Sequence, residues 1–568
     1  MALETEASGG TAPLDFTTFY NVIDGELVST SETRHSVDPT TLQPNPESAL
    51  STPADVDKAI AAAKKALQSW SKVPSAERRG AVLRFSKAIQ ALKEDFAIML
   101  SKEGGKPLIP SAQLRFAREE VDIAAGMLAS LQFHELPDVV IEDSETRRVV
   151  TKYTPIGVTV GFVPWNSPLT LACLKLGPPL VTGNTVVLKP SPFTPYCGIK
   201  LVELAQRFFP PGVVQVLSGD DNLGLWFTSH PGVDAVSFTG STATGKRVME
   251  SCSKTMARVT LELGGNDPAI ICADVDIKSV VPQIVHRAFF HSGQICVAIK
   301  RLYVHASIYD EFLTELVKET RDVAMSNGDH PLTFIGPIQN SLQFERVKDL
   351  LADIAKNGYT VALGDPQTAA QKGSYYVRPV IVDNPPEKSR IVAEEQFGPV
   401  LPVLKWTDEE DVLRRANDTR QALGASVWTE EMDRAERMMG KLEAGMVWSN
   451  AHFELHPFAS VGGHKESGLA VENESSVALR PPGKFDPSLF RSSSIRNTDL
   501  IPVPNEANPV LVRKMLSLHC HVAICNFASA AHLFESNPDD INRHLGEPVR
   551  SEQVHDGGAS RNSFAESL

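Results

Sequence analysis

A regular alternation of short β-branched runs and helix-length segments, between residues 155 and 265, constrains the fold of this chain most strongly. Each run ends within a residue or two of a glycine, proline or serine. The runs are 157–163, 185–188, 213–217, 235–238 and 259–263. This pattern is typical of βαβ units on a buried parallel sheet. Because ligands of such sheets bind at the carboxyl ends of the strands, we expect the turn residues there to meet a cofactor.

A second alternation predicts a second α/β domain between residues 277 and 450. Its expected strands are 302–305, 360–363, 375–382, 400–404 and 425–428. Towards the N-terminus, residues 1–50 predict mostly irregular chain with one short strand at 19–23. Apolar residues at helical spacing over 54–101 predict two long helices. Two apolar runs at 139–141 and 149–150, separated by a polar turn, predict a β-hairpin.

The composition excludes several classes of partner. With 55 Lys and Arg against 69 Asp and Glu among 568 residues, the net charge is −14, and no basic run offers a phosphate-backbone site. We expect no nucleic-acid partner and no membrane partner, since no apolar stretch approaches the length of a spanning helix. Seven cysteines without a CxxC predict neither a disulfide framework nor a metal site, and favour a cytoplasmic, reducing location.

Two residues carry candidate chemistry. Cys296 follows a Ser-Gly turn, where a thiol can be exposed and act as a nucleophile. Glu262 ends an apolar run, where burial would raise the pKa of its carboxyl group and suit it to general-base work. His286 and His291 near the cysteine leave a Cys/His hydrolase as an alternative. A P-loop enzyme is the weaker alternative, because Arg247 replaces the Ser or Thr that would hold magnesium.

Seven motifs together resemble those of the aldehyde dehydrogenase superfamily in order and spacing. They are Val163-Pro-Trp-Asn-Ser-Pro168, Lys189-Pro-Ser191, Phe238-Thr-Gly-Ser-Thr242, Leu261-Glu-Leu-Gly-Gly-Asn266, Ser292-Gly-Gln-Ile-Cys296, Glu394-Glu-Gln-Phe-Gly-Pro399 and Gly462-Gly-His-Lys-Glu-Ser-Gly468. The resemblance implies an α/β fold with a Rossmann-type cofactor domain, an α/β catalytic domain and a small oligomerisation hairpin. It implies oxidation of an aldehyde to an acid through a cysteine thiohemiacetal and thioester.

The resemblance also assigns catalytic roles. Cys296 becomes the nucleophile, Glu262 the general base that activates water, and Asn166 a donor to the oxyanion. Lys175 matches a lysine that assists proton removal. The alternative is a catalytically impaired relative with a binding role, because the resemblance stops at residue 472.

The cofactor implied is NAD or NADP, held by residues on several strand ends. The resemblance places Trp165 and Lys189 near the adenosine ribose, Gly240 and Ser241 at the pyrophosphate, Gly219 and Gly224 along the adenine cleft, and Glu395 with Phe397 at the nicotinamide ribose and ring. Many relatives that prefer NAD carry a Glu where this chain has Pro192. Without that carboxylate nothing there repels a 2′-phosphate, so we expect both cofactors to be used.

The expected substrate pocket is wide. Ser167, Leu174 and Val461 stand where relatives that act on small aldehydes often carry aromatic residues, and smaller side chains leave more room. The remaining expected pocket residues are Phe290, Ile295 and Val297. We therefore expect a bulky, aromatic or long-chain aldehyde as the small-molecule substrate.

The resemblance divides the chain into five parts. They are a cofactor domain (1–136 and 156–261), an oligomerisation hairpin (137–155), a catalytic domain (262–450), a return to the cofactor domain (451–472) and an atypical, partly disordered tail (473–568). Relatives imply a homodimer or homotetramer, although the altered tail puts assembly in question.

Overall fold

The computed structural model describes residues 14–106, 115–133, 137–325, 335–456 and 459–472. Two large mixed sheets organise this part of the chain. The strands are β1 (Asn21–Ile23), β2 (Glu26–Val28), β3 (Thr33–Val37), β4 (Pro44–Ala49), β5 (Val139–Asp143), β6 (Arg148–Thr151), β7 (Val158–Phe162), β8 (Thr185–Lys189), β9 (Val214–Val216), β10 (Ala235–Thr239), β11 (Arg258–Glu262), β12 (Asp267–Ile271), β13 (Ile299–His305), β14 (Val361–Leu363), β15 (Val380–Asp383), β16 (Val400–Trp406), β17 (Gln421–Ala422), β18 (Gly424–Trp428), β19 (Met446–Ser449), β20 (His464–Lys465) and β21 (Gly468–Leu469).

Helices cover both faces of each large sheet. They are α1 (Pro53–Trp70), α2 (Ser75–Ala91), α3 (Lys93–Gly104), α4 (Arg115–Ser130), α5 (Pro168–Val181), α6 (Tyr196–Ala205), α7 (Asp221–Ser229), α8 (Thr242–Ser253), α9 (Ile277–Phe289), α10 (Tyr309–Met325), α11 (Ser341–Asn357), α12 (Arg390–Ala393), α13 (Glu409–Asn417) and α14 (Met432–Met439). The α/β class predicted from the sequence is confirmed.

The first sheet has the order β2-β1-β9-β8-β7-β10-β11-β21. Its five central strands, β7 to β11, are parallel and lie in the order 3-2-1-4-5, which is that of doubly wound dinucleotide-binding sheets. Apolar side chains of α2 to α6 pack on one face, and those of α1, α7 and α8 pack on the other. The strand order reverses between β7 and β10, so a crevice for ligands is expected there.

The second sheet has the order β14-β15-β16-β13-β12-β18-β19 and is parallel except at β14. The chain passes from the first sheet to the second over residues 263–266, between β11 and β12. Glu262 therefore lies at the junction of the two sheets. Three small two-stranded sheets complete the described part, among them β5 paired antiparallel with β6, in the segment for which the sequence predicts a hairpin.

The N-terminal expectations need correction. Residues 14–50 contain four strands rather than mostly irregular chain, because β1 is recruited to the sheet edge beside β9 through Val22 and Val216. Residues 54–101 contain parts of three helices rather than two. Pro74 separates α1 from α2 because the residue before a proline avoids helical geometry. Leu92 (φ −106°, ψ 23°) kinks the chain between α2 and α3 without a proline or glycine to mark the position.

The second domain also departs from expectation in detail. Strands β12 and β19 were not predicted, and β15 is shorter than the run 375–382. The β12 sequence contains Pro268 and begins one residue after Gly264-Gly265, and glycine pairs and prolines are signals of a turn in a sequence. Its partners β13 and β18 make it a buried strand. The predicted tail, residues 473–568, lies outside the described residues.

Candidate active site

The candidate site begins where three strands of the first sheet end. Trp165 and Asn166 follow β7, Gly240 and Ser241 follow β10, and Glu262 is the last residue of β11. These strands are neighbours in the order β7-β10-β11, so their carboxyl ends meet at the same edge. The sheet topology thus brings together residues that are up to 97 positions apart in sequence, from 165 to 262.

Cys296 lies on a tight loop before β13. A 3₁₀ turn, Phe290–Gly293, opens the loop, and the backbone is left-handed at His291 (φ 50°), Ser292 (φ 57°) and Gly293 (φ 74°). The Ser292 hydroxyl donates to the carbonyl of Gly336 at 2.7 Å and stabilises this strained turn. Cys296 is partly exposed, whereas the other cysteines of the described residues are buried.

Asn166 contacts the same loop. Its Nδ2 donates to the carbonyl of Gln294 at 3.0 Å, and the residue is buried. An amide nitrogen carries two hydrogens, so this bond fixes the side chain while leaving a second N–H to donate. Gln294 is itself held, because its Oε1 accepts from the backbone N–H of Gln339 at 2.9 Å. The amide and the nucleophile loop are therefore positioned as one unit.

Glu262 is a buried carboxylate whose Oε1 has no hydrogen-bond partner within the described structure. Burial raises the pKa of Glu262 well above its usual value, and the nearby charge of Glu472 raises it further, while that of Lys175 lowers it. Two glycines, Gly264 and Gly265, follow Glu262 after Leu263. A Cβ on Gly265 would lie 2.5 Å from the carbonyl oxygen of Cys296, so only glycine allows this close approach.

The charge of Glu262 is one of those that act on the Cys296 thiol. Burial raises the pKa of the Cys296 thiol to about 12; the charge of Lys300 lowers it, and those of Glu395, Asp267 and Glu262 raise it. The thiol is therefore protonated near neutral pH, and its activation requires a group that accepts the proton.

Lys175 reaches the site through Glu472. Its ammonium, on the buried side of α5, forms an ion pair with the Glu472 carboxylate, which also accepts from the Ser237 hydroxyl at 2.5 Å. Glu472 is held by two backbone hydrogen bonds with Val461. Sequence reasoning missed Glu472, although an acidic residue at the end of the resemblance, 210 positions after Glu262 in the chain (472 − 262), was the available signal.

Four of the expected pocket residues pack with the cysteine. Ile295 and Val297 belong to one apolar cluster against which Phe290, Cys296 and Val461 pack. Ser167 precedes the first residue of α5, and Leu174 is buried on that helix. The structure adds apolar residues that the sequence reasoning did not name: Phe116, whose ring meets that of Phe290 at 5.4 Å, and Trp448, Phe453 and Leu455 in the same cluster.

Comparisons with known proteins agree with this geometry. Residues 27–480 match the sequence profile of the Aldehyde dehydrogenase family. The aldehyde dehydrogenase LUC3 of a Fusarium species is 40% identical over 462 residues, which are 81% of this chain and 96% of that protein. The chain belongs to the aldehyde dehydrogenase family.

Solved structures of aldehyde dehydrogenases share the fold. The indole-3-acetaldehyde dehydrogenase AldA of P. syringae, in complex with NAD⁺ and IAA, aligns with a TM-score of 0.78 and 31% identity over 82% of this chain and 95% of that one. An NADP-dependent enzyme of E. coli aligns with a TM-score of 0.77 and 31% identity over 82% of this chain and 97% of that one. This aldehyde dehydrogenase therefore uses a nicotinamide cofactor.

The crevice fits such a cofactor. Lys189 is buried at the end of β8, and burial lowers the pKa of its ammonium to about 8, so a ligand that supplies negative charge or acceptors would stabilise it. Gly224 adjoins this lysine, because a Cβ at that position would be in ordinary van der Waals contact with Phe162 at 3.6 Å and with Lys189 at 4.0 Å. Gly219 lies before α7, and Ser241 accepts from the Thr244 N–H as the N-cap of α8, following Gly240.

Two further residues that the sequence predicts at the cofactor lie on the loop after α12. Glu395 accepts from the backbone N–H of Gly265 at 3.2 Å, and burial raises the pKa of its carboxyl group. Phe397 has a left-handed backbone (φ 47°), and its ring meets that of Trp165 edge-on at 5.3 Å. Trp165 and Phe397, expected at different parts of the cofactor, are thus in direct contact.

Within the described ranges, no helix combines the length and apolarity needed to cross a bilayer. Among those same residues, no group of three or more His, Cys, Asp or Glu side chains is arranged to hold a metal ion.

Proposed function

We propose that this aldehyde dehydrogenase oxidises its substrate to a carboxylic acid by covalent catalysis at Cys296, followed by hydrolysis. The observation that carries the proposal is the buried carboxylate of Glu262. It has an oxygen without a protein partner and acts electrostatically on a partly exposed cysteine. A general base needs both a raised pKa and a free acceptor, and Glu262 has both.

The first step is addition of the Cys296 sulfur to the aldehyde carbon. The thiol proton passes to a base, the carbon–sulfur bond forms, and the carbonyl oxygen becomes an oxyanion. Asn166, fixed by its bond to Gln294, supplies an N–H to this oxyanion together with the Cys296 backbone N–H. A preorganised donor of this kind lowers the barrier by about 3 kcal/mol. A nicotinamide held by Glu395 and Phe397 would supply the acceptor for the hydride that leaves the thiohemiacetal carbon.

The second step is hydrolysis of the thioester. Glu262 removes a proton from water while the water oxygen attacks the acyl carbon. The carbon–sulfur bond then breaks, the acid leaves, and Cys296 is restored as a thiolate. The Lys175–Glu472 pair next to Glu262 provides an exit for the proton towards Ser237. The presence of Glu262 favours water over coenzyme A as the acyl acceptor.

The cofactor would be held by Lys189 and Trp165, by the backbone at Gly219, Gly224 and Gly240 with Ser241, and by Glu395 and Phe397. We propose that both NAD and NADP are used. Pro192 supplies no carboxylate to repel a 2′-phosphate, and the charges acting on Lys189 are mixed: Asp220 and Asp221 are anionic and Arg34 is cationic.

The substrate proposed is a bulky, aromatic or long-chain aldehyde. Ser167, Leu174 and Val461 replace larger side chains, while Phe290 and Phe116 supply an aromatic wall. The name of the P. syringae relative, an indole-3-acetaldehyde dehydrogenase, agrees with a ring-bearing substrate.

The catalytic assignment is tested with Glu262→Gln. This variant should form the thioester but hydrolyse it at least about 100-fold more slowly, because it lacks the base. Rapid mixing with aldehyde and NAD⁺ should give one burst of NADH absorbance per site followed by slow turnover. Cys296→Ser is the control and should give no burst. Full steady-state turnover by Glu262→Gln would contradict the assignment of the base.

Cofactor and substrate are tested in one set of steady-state measurements with the unaltered enzyme. We expect kcat/KM for NAD and NADP to differ by less than about a thousandfold, which corresponds to ~4 kcal/mol. We expect a ring-bearing aldehyde such as indole-3-acetaldehyde to exceed acetaldehyde in kcat/KM. A larger cofactor preference, or acetaldehyde as the better substrate, would contradict the respective proposal.

We also propose the domain division given by the resemblance, with residues 137–155 as the oligomerisation hairpin of a homodimer or homotetramer. The hairpin exposes Val139, Val140, Ile141 and Val149. A row of exposed apolar side chains is typical of a surface that a partner covers.

A further inference from the structure

Lys300 is a buried cation that the reaction scheme above does not use. It lies on β13, four residues after Cys296, and is 2% exposed. An ammonium group so deeply buried is costly unless its charge and its three N–H donors are satisfied. Its partners therefore show what it stabilises.

The ammonium lies beneath the nucleophile loop. Nζ donates to the carbonyl of Ile295 at 2.6 Å and to that of Cys296 at 3.2 Å, and it lies 3.5 Å from the carbonyl of Ala298. Three carbonyls of the four-residue stretch 295–298 thus converge on one charge. These contacts fix the backbone on both sides of the sulfur-bearing residue.

The same residue contacts the loop expected to meet the nicotinamide. Nζ is 3.7 Å from Oε1 of Glu395 and 5.8 Å from the ring centre of Phe397. The backbone carbonyl of Lys300 accepts from Gln396 Nε2 at 3.3 Å. One lysine therefore joins residues 295–298 to residues 395–397.

The charges around Cys296 show why a cation matters at this place. Besides Lys300, the charged groups acting on the thiol are the carboxyl groups of Glu395, Asp267 and Glu262, and each of these raises its pKa. Burial raises the pKa of Asp267 to about 8 and lowers that of the neighbouring His452 to about 3, so His452 stays neutral. Lys300 is the one group of this set that favours the thiolate.

We propose that Lys300 is a positioning residue of the reaction, whose ammonium stabilises the thiolate of Cys296 and orients Glu395 towards the cofactor. This inference rests on the proposed role of Cys296 as nucleophile. Its test uses alkylation, which requires the thiolate but no turnover, so it can fail separately from the proposed function.

The experiment compares Lys300→Met with Lys300→Arg in the full-length protein. Iodoacetamide alkylation of Cys296 is followed at fixed pH by mass spectrometry of the peptide that contains it. Each unit by which the thiol pKa rises lowers the thiolate fraction tenfold and raises its nucleophilicity about threefold. We therefore expect Lys300→Met to be alkylated at least about threefold more slowly and Lys300→Arg to retain most of the rate.

Binding of NADH, titrated by fluorescence, reports on Glu395. We expect Lys300→Met to raise Kd for NADH at least about fivefold, because the Glu395 carboxylate loses its ion-pair partner. The matched control is Lys200→Met, which removes another buried lysine, bonded to Glu203 at 2.6 Å on α6. It should change neither the alkylation rate nor the Kd for NADH.

Unchanged alkylation and unchanged NADH binding in Lys300→Met would overturn the proposal. Equal loss of alkylation in Lys300→Met and Lys300→Arg would also overturn it, since geometry rather than charge would then be responsible. Circular dichroism checks folding. If Lys300→Met does not fold, retention of the alkylation rate by Lys300→Arg supports the proposal and its loss overturns it.

Discussion

Single residues in this protein derive their chemistry from their neighbours. The carboxyl group of Glu262 would be an ordinary acid in water, but burial and the adjacent Glu472 raise its pKa, whereas Lys175 lowers it. The balance of these three influences sets the pH at which Glu262 becomes a base. The pH profile of the enzyme therefore depends on Glu472, a residue that does not touch the substrate in the proposed scheme.

Glu472→Gln tests this balance. Removing the Glu472 charge lowers the pKa of Glu262, and activity requires ionised Glu262, so the acid limb of the kcat–pH profile should move to lower pH. The measurement is kcat against pH with both substrates saturating. Glu345→Gln, which alters an exposed carboxylate on α11 paired with Lys348, is the control and should leave the acid limb of the kcat–pH profile in place. A limb that stays, or moves to higher pH, would disagree with the proposed coupling.

Residue types predicted part of this site. The Ser-Gly turn marked Cys296 and the apolar run marked Glu262, because a nucleophile and a buried base each need a recognisable local setting. No turn or apolar run next to Glu472 or Lys300 indicates a role for either residue. Their importance comes from contacts across the fold, with Lys175 and with Glu395, that no local pattern encodes.

Among the elements, α1 shows how local chemistry sets a boundary. Thr52 precedes the helix, and its hydroxyl accepts from the Asp55 N–H at 3.4 Å, while the Asp55 carboxylate accepts from the Thr52 N–H at 2.9 Å. This capping box satisfies N–H groups that the first helical turn leaves without partners. The helix then buries Val56, Ile60 and Ala63 against the first sheet.

Thr52→Ala should lower the free energy of unfolding by about 1 kcal/mol, because one of these N–H groups loses its acceptor. Denaturant-induced unfolding, followed by circular dichroism, measures the change. Thr314→Ala is the matched control. Its hydroxyl donates to the carbonyl of Asp310 within α10 and satisfies no unpaired N–H, so its effect should be close to zero. Equal effects of the two substitutions would mean that the cap does not stabilise α1.

Boundaries of helices and strands that lack a capping box or another local signal were not predicted from the sequence. The kink at Leu92 has no proline or glycine, and β12 begins one residue after a Gly-Gly pair that indicates a turn. Both are decided by packing: α2 and α3 bury residues in one shared core, and β12 is paired on both sides. Strands with β-branched runs on the buried sheet were predicted to within a few residues, because their composition alone requires burial.

For the whole molecule, the proposed assembly rests on the hairpin β5–β6. Val140 is 48% and Ile141 65% exposed on this hairpin. Exposed aliphatic side chains in a row are costly in water, and covering them stabilises an oligomer.

Ile141→Glu should shift the protein towards monomer by placing a charge in the proposed contact. Sedimentation velocity measures the mass, and circular dichroism confirms folding. Leu342→Glu is the control, because Leu342 is also exposed, at 71%, but lies on α11. A wild-type mass for Ile141→Glu would exclude the hairpin as the main contact.

By itself, the sequence determined the α/β class and the alternation of strands and helices on two sheets, and it predicted Cys296 as the nucleophile and Glu262 as the base. Each of these is a local pattern, in which spacing and residue type are sufficient. Only the tertiary structure decided which residues meet: Glu262 with Glu472 and Lys175, Asn166 with the loop of Cys296, and Lys300 with Glu395. The physical reason is that pKa values and orientations depend on charges and donors within a few ångströms, and these come from distant parts of the chain.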